Sequence, residues 1–184
     1  TRAQTPVEVD VALVLAVDIS YSMDLDELAL QRRGYVEAFR SKIIHDAIAR
    51  GALGKIAVTY FEWAGAGIQY QIAPWTIIDS PALAQNFAGQ LEDAPLRRGR
   101  RTSVSAAIDN SVRLLEESGV EALRRVMDIS GDGPNNDGRP VTQARDEALA
   151  KGIRINGLPI MLKRPGYMDL EDLDIYYEEC VIGG

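Results

Sequence analysis

Residues 13–24 read LVLAVDISYSMD, an apolar run that stops at Asp18 and continues with Ser20 and Ser22 at alternate positions. In an extended turn, Asp-x-Ser-x-Ser directs one carboxylate and two hydroxyls to one spot, a donor set that suits hard divalent cations. The same residue types are favoured helix caps, and a helical pattern begins near Leu25, so the motif alone fits either role. Two further strand–helix junctions carry oxygen ligands. Thr102 opens a helical pattern in RRTSVSAAI, and Asp132 follows a strand pattern in RRVMDISGDG. Thr is a common cap and Asp-Gly a common turn, so each is weak by itself. Together they put Asp18, Ser20, Ser22, Thr102 and Asp132 at three junctions that one face of a sheet would share.

These junctions need a scaffold. Val7–Val17 reads as a strand buried on both faces, because it is almost continuously apolar from Val11. Leu25–Arg50 carries Leu28, Tyr35, Val36, Phe39, Ile43, Ala47 and Ile48 at helical spacing, which predicts one long amphipathic helix stopped at Gly51. Lys55–Trp63 is a second strand, and AGAG at Ala64–Gly67 turns into IQYQIAPWTII, its antiparallel partner. Ser80-Pro81 starts a helix, LRRGRR forms a basic loop, and Ser103–Glu117 is a helix closed by Gly119. Arg124–Ile129 is a strand, SGDGPNNDG a turn-rich loop, Pro140–Lys151 a helix and Ile153–Leu162 the last clear strand, before the short acidic helix DLEDLDIYYEE. The alternation predicts an α/β, doubly wound fold: a mostly parallel central sheet, one antiparallel edge hairpin strand, and helices on both faces. Ligands of such sheets bind beyond the carboxyl ends of the strands, where the strand order switches direction. Asp18 ends the first and presumptive central strand.

Composition removes several classes. The 184 residues fit one domain with a real core. A net charge of −7 disfavours wrapping nucleic acid or lying on an anionic membrane. The single cysteine, Cys180, forbids an intrachain disulfide and a Cys-based zinc site, and the single histidine, His45, argues against a His-rich one. No apolar run approaches the ~20 residues of a membrane span. The first residue is Thr1 rather than Met, which predicts a processed form or fragment with any signal peptide outside the sequence.

Catalytic readings fare less well. A phosphatase of the haloacid dehalogenase type also begins with Asp at a strand end, but it needs a second Asp two residues on as general acid, and that position is Ser20. Ser130 lies in DISGD, not in a Gly-x-Ser-x-Gly elbow. No P-loop or Gly-x-Gly-x-x-Gly follows a strand, and His45 in mid-helix reads as a surface or packed residue.

Around the junctions, Arg97, Arg98, Arg100 and Arg101 read as a solvated loop paired with acids such as Asp24 or Asp26, or as a device that steers an acidic partner. Glu62 is expected on the same rim, as a surface carboxylate or as a group that orients a metal-bound water. Trp63, Tyr70 and Trp75 belong to the core or to a partner surface, PNND at Pro134–Asp137 is a turn with hydrogen-bonding side chains, and Glu171–Glu179 is a solvated acidic face.

The three-part constellation resembles the von Willebrand factor type A (vWA) domain with its metal-ion-dependent adhesion site (MIDAS). The resemblance covers nearly the whole chain, and it is strongest to a family of bacterial secreted or periplasmic proteins of unknown function. It implies a single Rossmann-like vWA domain over residues 1–184, without the final strand and helix usual in the family, and a natural protein that continues past Gly184. It implies a metal site of Asp18, Ser20, Ser22, Thr102 and Asp132 for Mg²⁺, or else Mn²⁺ or Ca²⁺, in which Ser20, Ser22 and either Thr102 or an aspartate bind directly. A hydroxyl-rich shell leaves the cation's charge incompletely neutralised, so the implied function is binding rather than catalysis: a protein partner or ligand supplies an Asp or Glu carboxylate at the open position. Arg100, Arg101 and Glu62 are further candidates for contacting that ligand. The alternatives are a metal-dependent hydrolase of phosphorylated or acidic substrates, and a scaffold that has lost its metal. Arg100 and Arg101 stand where many family members have glycines before the threonine.

Overall fold

The structure, a computed structural model, describes residues 5–161 and 172–184. Strands β1 (Val7–Asp18), β2 (Ile56–Trp63), β3 (Gln69–Ile78), β4 (Val120–Gly131) and β5 (Ile153–Pro159) form one sheet in the order β3-β2-β1-β4-β5. Strand β1 runs parallel to β2 and β4, β4 runs parallel to β5, and the β2–β3 hairpin supplies the antiparallel edge. The doubly wound reading therefore holds.

β1 is apolar throughout because both its faces are covered. Ala12, Val14 and Ala16 join Phe61, Trp63, Met127 and Ile129 beneath α4 (Val104–Glu116) and α5 (Val141–Ala150). Leu15 and Val17 join Val58, Tyr60 and Ile78 beneath α1 (Leu25–Arg40) and α3 (Pro81–Asp93). Phe39 and Phe87 seal α1 to α3 edge-to-face, with ring centroids 4.8 Å apart. From central β1 the chain winds out to β2 and β3, then crosses to β4 and β5 on the other side. The carboxyl ends of β1 and β4 thus flank the switch point.

Local expectations are corrected at several places. Leu25–Arg50 is two helices, α1 and α2 (Lys42–Ala49), because Ser41 adopts an extended conformation (φ −78°, ψ 142°) and its hydroxyl accepts the Ile44 N–H, capping α2. Apolar periodicity continues across such a break, so it cannot reveal one. Strand β4 extends the predicted Arg124–Ile129 at both ends. The acidic tail is a short helix, α6 (Leu173–Tyr176), followed by a π-helical turn, Tyr177–Val181. Its Leu173, Tyr177 and Val181 are buried in the core beside α5, so only part of it is a solvated face; the start of DLEDLDIYYEE and the end of Ile153–Leu162 lie outside the described residues. Gly183 pairs with Ile155 through two backbone bonds (2.9 and 3.1 Å), so VIGG covers part of the β5 edge. Trp63 is a core residue and Trp75 is half-buried, its indole N–H donating to the Leu114 carbonyl at 3.1 Å; Tyr70 remains partly exposed. His45 contacts the Phe39 carbonyl oxygen at 2.7 Å.

Asp10 pins the entry to β2. Its carboxylate accepts the N–H groups of Leu53 (3.0 Å) and Lys55 (3.2 Å), and these bonds hold its pKa below the usual 3.8. Asp10→Ala is expected to lower the melting temperature. A depressed folded-state pKa means that this contribution is present above pH 3.8 and is lost as pH falls through the folded value. Melts at neutral and strongly acidic pH check this: the deficit should shrink in acid, and an undiminished deficit contradicts it.

Candidate metal centre

Strand β1 delivers Asp18 to the switch point fully buried. Its Oδ1 accepts the Ser20 N–H at 2.7 Å, and its Oδ2 accepts the Asp132 N–H at 3.4 Å, so one carboxylate ties together the loops that follow β1 and β4. Ser22 donates to Asp132 Oδ1 at 2.6 Å. The Ser20 and Ser22 hydroxyl oxygens are 2.8 Å apart, within hydrogen-bond distance. Four predicted residues thus form one cluster, graded from buried Asp18 and Ser20 through half-buried Asp132 to exposed Ser22.

Capping does not account for these residues. The N-cap of α1 is Asp24, which forms a reciprocal box with Glu27: the Glu27 N–H donates to Asp24 Oδ1 at 2.9 Å and the Asp24 N–H donates to Glu27 Oε2 at 2.8 Å. Ser103, not Thr102, caps α4.

Thr102 is buried on the loop leading to α4. Gly99 of this loop lies in register with Ser20, and its N–H donates to the Ile19 carbonyl at 2.8 Å. A Cβ on Gly99 would stand 2.4 Å from the Ala64 Cβ, so only glycine lets the loop approach this closely. Arg101 takes a left-handed conformation (φ 65°) that a glycine would reach without strain, and its guanidinium pairs with Asp137 at 3.0 Å.

PNND has the hydrogen-bonding side chains expected of its turn, but their partners lie on other elements. Each of its polar side chains clasps a different element. Asn136 accepts the Thr102 N–H (2.9 Å) while its own N–H donates to the Thr102 carbonyl (2.8 Å). Asn135 accepts the Ser105 N–H at 3.1 Å, and Asp137 accepts the Ala66 N–H at 2.8 Å. The signal was present as three consecutive Asx residues, but their partners lie about 30 or more residues away and periodicity does not report them. Gly131 was also missed: a Cβ there would stand 2.7 Å from the Tyr177 hydroxyl and 2.9 Å from Asp18 Oδ2. That tyrosine hydroxyl is buried and has no hydrogen-bond partner among the described residues.

The expectation for Glu62 is overturned. It is buried and ion-paired with Arg32 of α1, whose guanidinium also donates to the Leu91 (2.7 Å) and Ala94 (2.9 Å) carbonyls. Glu62 therefore neither lies on the surface nor faces the cluster. Strand alternation decides this, since Glu62 shares the face of Val58 and Tyr60 that α1 and α3 cover. The arginines find partners other than those expected: Arg101 pairs with Asp137, Arg98 lies over Tyr21 and Arg97 over Tyr70. Arg100 is exposed beside them.

Electrostatics mark Asp18. Burial pushes its carboxyl up to about 7, against the Ser20 hydrogen bonds that pull it down, and the neighbouring Asp132 carboxylate adds to the rise. A buried carboxylate with no cationic partner among the described residues is one that a bound cation would satisfy. No group of three or more His, Cys, Asp or Glu suited to a metal occurs among the described residues. A cation here would rest on carboxylate and hydroxyl oxygens, the donor chemistry of Mg²⁺, Mn²⁺ and Ca²⁺, so the residues present fit such an ion.

The profile of DUF1194, a family described as proteins of unknown function, matches residues 8–184. No curated protein matches. Among solved structures, the fold is similar to proximal thread matrix protein 1 from the mussel byssus, in a structure with a zinc-occupied MIDAS motif: 13% identity, TM-score 0.64, 83% of this chain and 38% of that one. It is also similar to the pilus adhesin SpaC from Lactobacillus rhamnosus GG (14% identity, TM-score 0.66, 96% of this chain and 28% of that one). A third similar structure is the conserved hypothetical protein BatB from Bacteroides thetaiotaomicron (23% identity, TM-score 0.55, 81% of this chain and 66% of that one). The chain spans about two fifths of the length of the first of these proteins. At such identities the likeness is one of fold. With the sheet order, the antiparallel hairpin edge and the hydrogen-bonded cluster of the loops after β1 and β4 at the switch point, these findings identify the chain as a member of the DUF1194 family that carries the vWA fold.

Proposed function

We propose that this is a non-catalytic, metal-dependent binding domain of a secreted or periplasmic protein. In this reading Asp18, Ser20, Ser22, Thr102 and Asp132 hold a divalent cation, Mg²⁺ first, and a protein partner supplies an Asp or Glu carboxylate to it. The carrying observation is the hydrogen-bonded cluster in which Ser22 joins Asp132 at 2.6 Å above the buried Asp18. Hydroxyls are neutral donors, so a dication there would keep positive character toward solvent and attract an anionic ligand. The chain's own residues supply orientation: Asn136 clasps Thr102, and the Ser20 N–H fixes the Asp18 carboxylate. Ser20 occupies the place where a phosphatase of the haloacid dehalogenase type needs an acid, which favours binding over hydrolysis. The similar folds of a pilus adhesin and a byssus matrix protein support an extracytoplasmic binding role. No helix among the described residues is long and apolar enough to cross a membrane.

Immobilised chain, offered protein extract in Mg²⁺, Mn²⁺ or chelator, tests the reading. Partner capture is expected with either metal, and is expected to be lost in chelator, with Thr102→Ala, and when the partner's contacting Asp or Glu becomes Asn or Gln. Capture indifferent to both chelator and Thr102→Ala would refute it.

A further inference from the structure

The rim beside the metal centre carries positive charge that the fold does not neutralise. The loop of Arg97, Arg98, Arg100 and Arg101 is drawn against the Ser20 loop by Gly99, whose N–H donates to the Ile19 carbonyl. This sets Arg98 on Tyr21, the residue between the two serines of the cluster. An Arg98 Nη donates to the Tyr21 carbonyl at 2.6 Å, and the guanidinium carbon lies 4.9 Å from the centroid of the Tyr21 ring, which is itself 53% exposed. Arg97 lies 4.9 Å from the Tyr70 centroid in the same manner. Arg101 is paired with Asp137, whereas Arg97, Arg98 and Arg100 form no salt bridge with a carboxylate among the described residues.

Stacking and a backbone bond hold the Arg98 side chain in place, which reduces the ordering cost of using it to bind. A guanidinium has five N–H donors in a fixed plane, and its remaining edge matches a carboxylate bidentately. Arg97 is less available, because its charge already acts on the buried Glu62 carboxyl. The patch is local: the chain as a whole carries −7, so an extended polyanion is repelled by the rest of the surface, while a short acidic segment meets only the favourable rim.

We propose that Arg98, braced on Tyr21, is a second anchor for the partner, which is therefore a protein segment with two neighbouring acidic side chains. One carboxylate goes to the metal centre and the other to Arg98; Arg97 and Arg100 widen the attractive field. The inference rests on the metal-dependent reading above and names the kind of partner that this reading requires.

Two blocked, fluorescently labelled peptides of equal length serve as probes, one with a single Asp and one with Asp-Gly-Asp in a Gly/Ser background. Binding to the full 184-residue chain in Mg²⁺ is followed by anisotropy. The two-acid peptide is expected to bind roughly tenfold tighter, the scale of one charge-assisted contact. Arg98→Gln is expected to remove that advantage while leaving single-Asp binding and Mg²⁺ affinity unchanged, and Arg98→Lys to restore only part of it, because an ammonium lacks the planar fork. An advantage that persists in Arg98→Gln overturns the proposal, as does an equal loss for both peptides, or no binding of the two-acid peptide at about millimolar concentration. Chelator separates the two readings. If chelator abolishes single-Asp binding while Arg98→Gln changes nothing, the metal reading survives and the second anchor fails. If chelator has no effect while Arg98→Gln still removes the advantage, the anchor stands and the metal reading fails.

Discussion

Asp132→Ala and Asp18→Asn are both expected to abolish Mg²⁺ binding in calorimetric titration, while the metal-free proteins remain folded. The two residues reach this result from different environments. Asp132 is half-buried and accepts the Ser22 hydroxyl, so its removal is expected to cost the metal-free fold the worth of one or two hydrogen bonds, about 1–2 kcal/mol. Asp18 is fully buried, and burial disfavours its charged form. Asn keeps an acceptor for the Ser20 N–H and removes the charge. Metal-free Asp18→Asn is therefore expected to be at least as stable as the wild type at pH 8. Mg²⁺ should separate the proteins. A ligand at a hundred times its Kd stabilises the native state by about 2.7 kcal/mol, equivalent to roughly 5–10 °C for a domain of this size. The wild type should show that shift and both variants should lose it. An Mg²⁺ shift retained in both variants would sink the assignment of the centre.

The largest stability effect is expected at the Arg32–Glu62 pair. The guanidinium joins α1, β2 and the end of α3 through the Glu62 carboxylate and the Leu91 and Ala94 carbonyls, and it lies 5.8 Å from the Tyr60 centroid. Both side chains are buried, and burial pushes the Glu62 carboxyl up while Arg32 pulls it back down. Arg32→Ala would leave that carboxyl buried without its cation and two carbonyls without their donor. Breaking a buried pair in this way costs about 3–5 kcal/mol. Arg32→Lys should recover only part, since one ammonium does not match three acceptors held by a planar fork. The double variant Arg32→Met/Glu62→Leu should recover most of the loss, because it removes both desolvated charges together. Denaturant unfolding measures all three. A loss below about 1 kcal/mol in Arg32→Ala would mean that the pair is solvated rather than buried. Glu62 Oε2 and Arg32 Nε have no hydrogen-bond partner among the described residues, which is why apolar replacement is expected to be tolerated.

The sequence by itself determined the architecture and which strand ends carry the candidate residues. An apolar β1 reports burial on both faces, and alternation of strands with helices reports a parallel sheet. Asp18, Ser20, Ser22 and Asp132 each stand immediately after a strand, and strand ends on one face must meet, so their convergence followed from chain order once the sheet was inferred. Local chemistry was legible wherever its partners are close in sequence, as with the Ser80 cap of α3. Only the tertiary structure decided the rest. It separated ligand candidates from caps by giving the α1 cap to Asp24 and the α4 cap to Ser103. It broke the predicted long helix at Ser41, where a hydroxyl competes with the helical backbone and apolar spacing carries no trace of it. It sent Glu62 inward to Arg32, a partner 30 residues away on another element. It turned PNND from a turn into a clasp, placed Tyr177 beside Asp18 through Gly131, and stacked Arg98 on Tyr21. These features depend on contacts between segments distant in the chain. Periodicity and capping rules describe a residue's neighbours along the backbone, whereas which side chain fills which space is decided only when the loops close on one another.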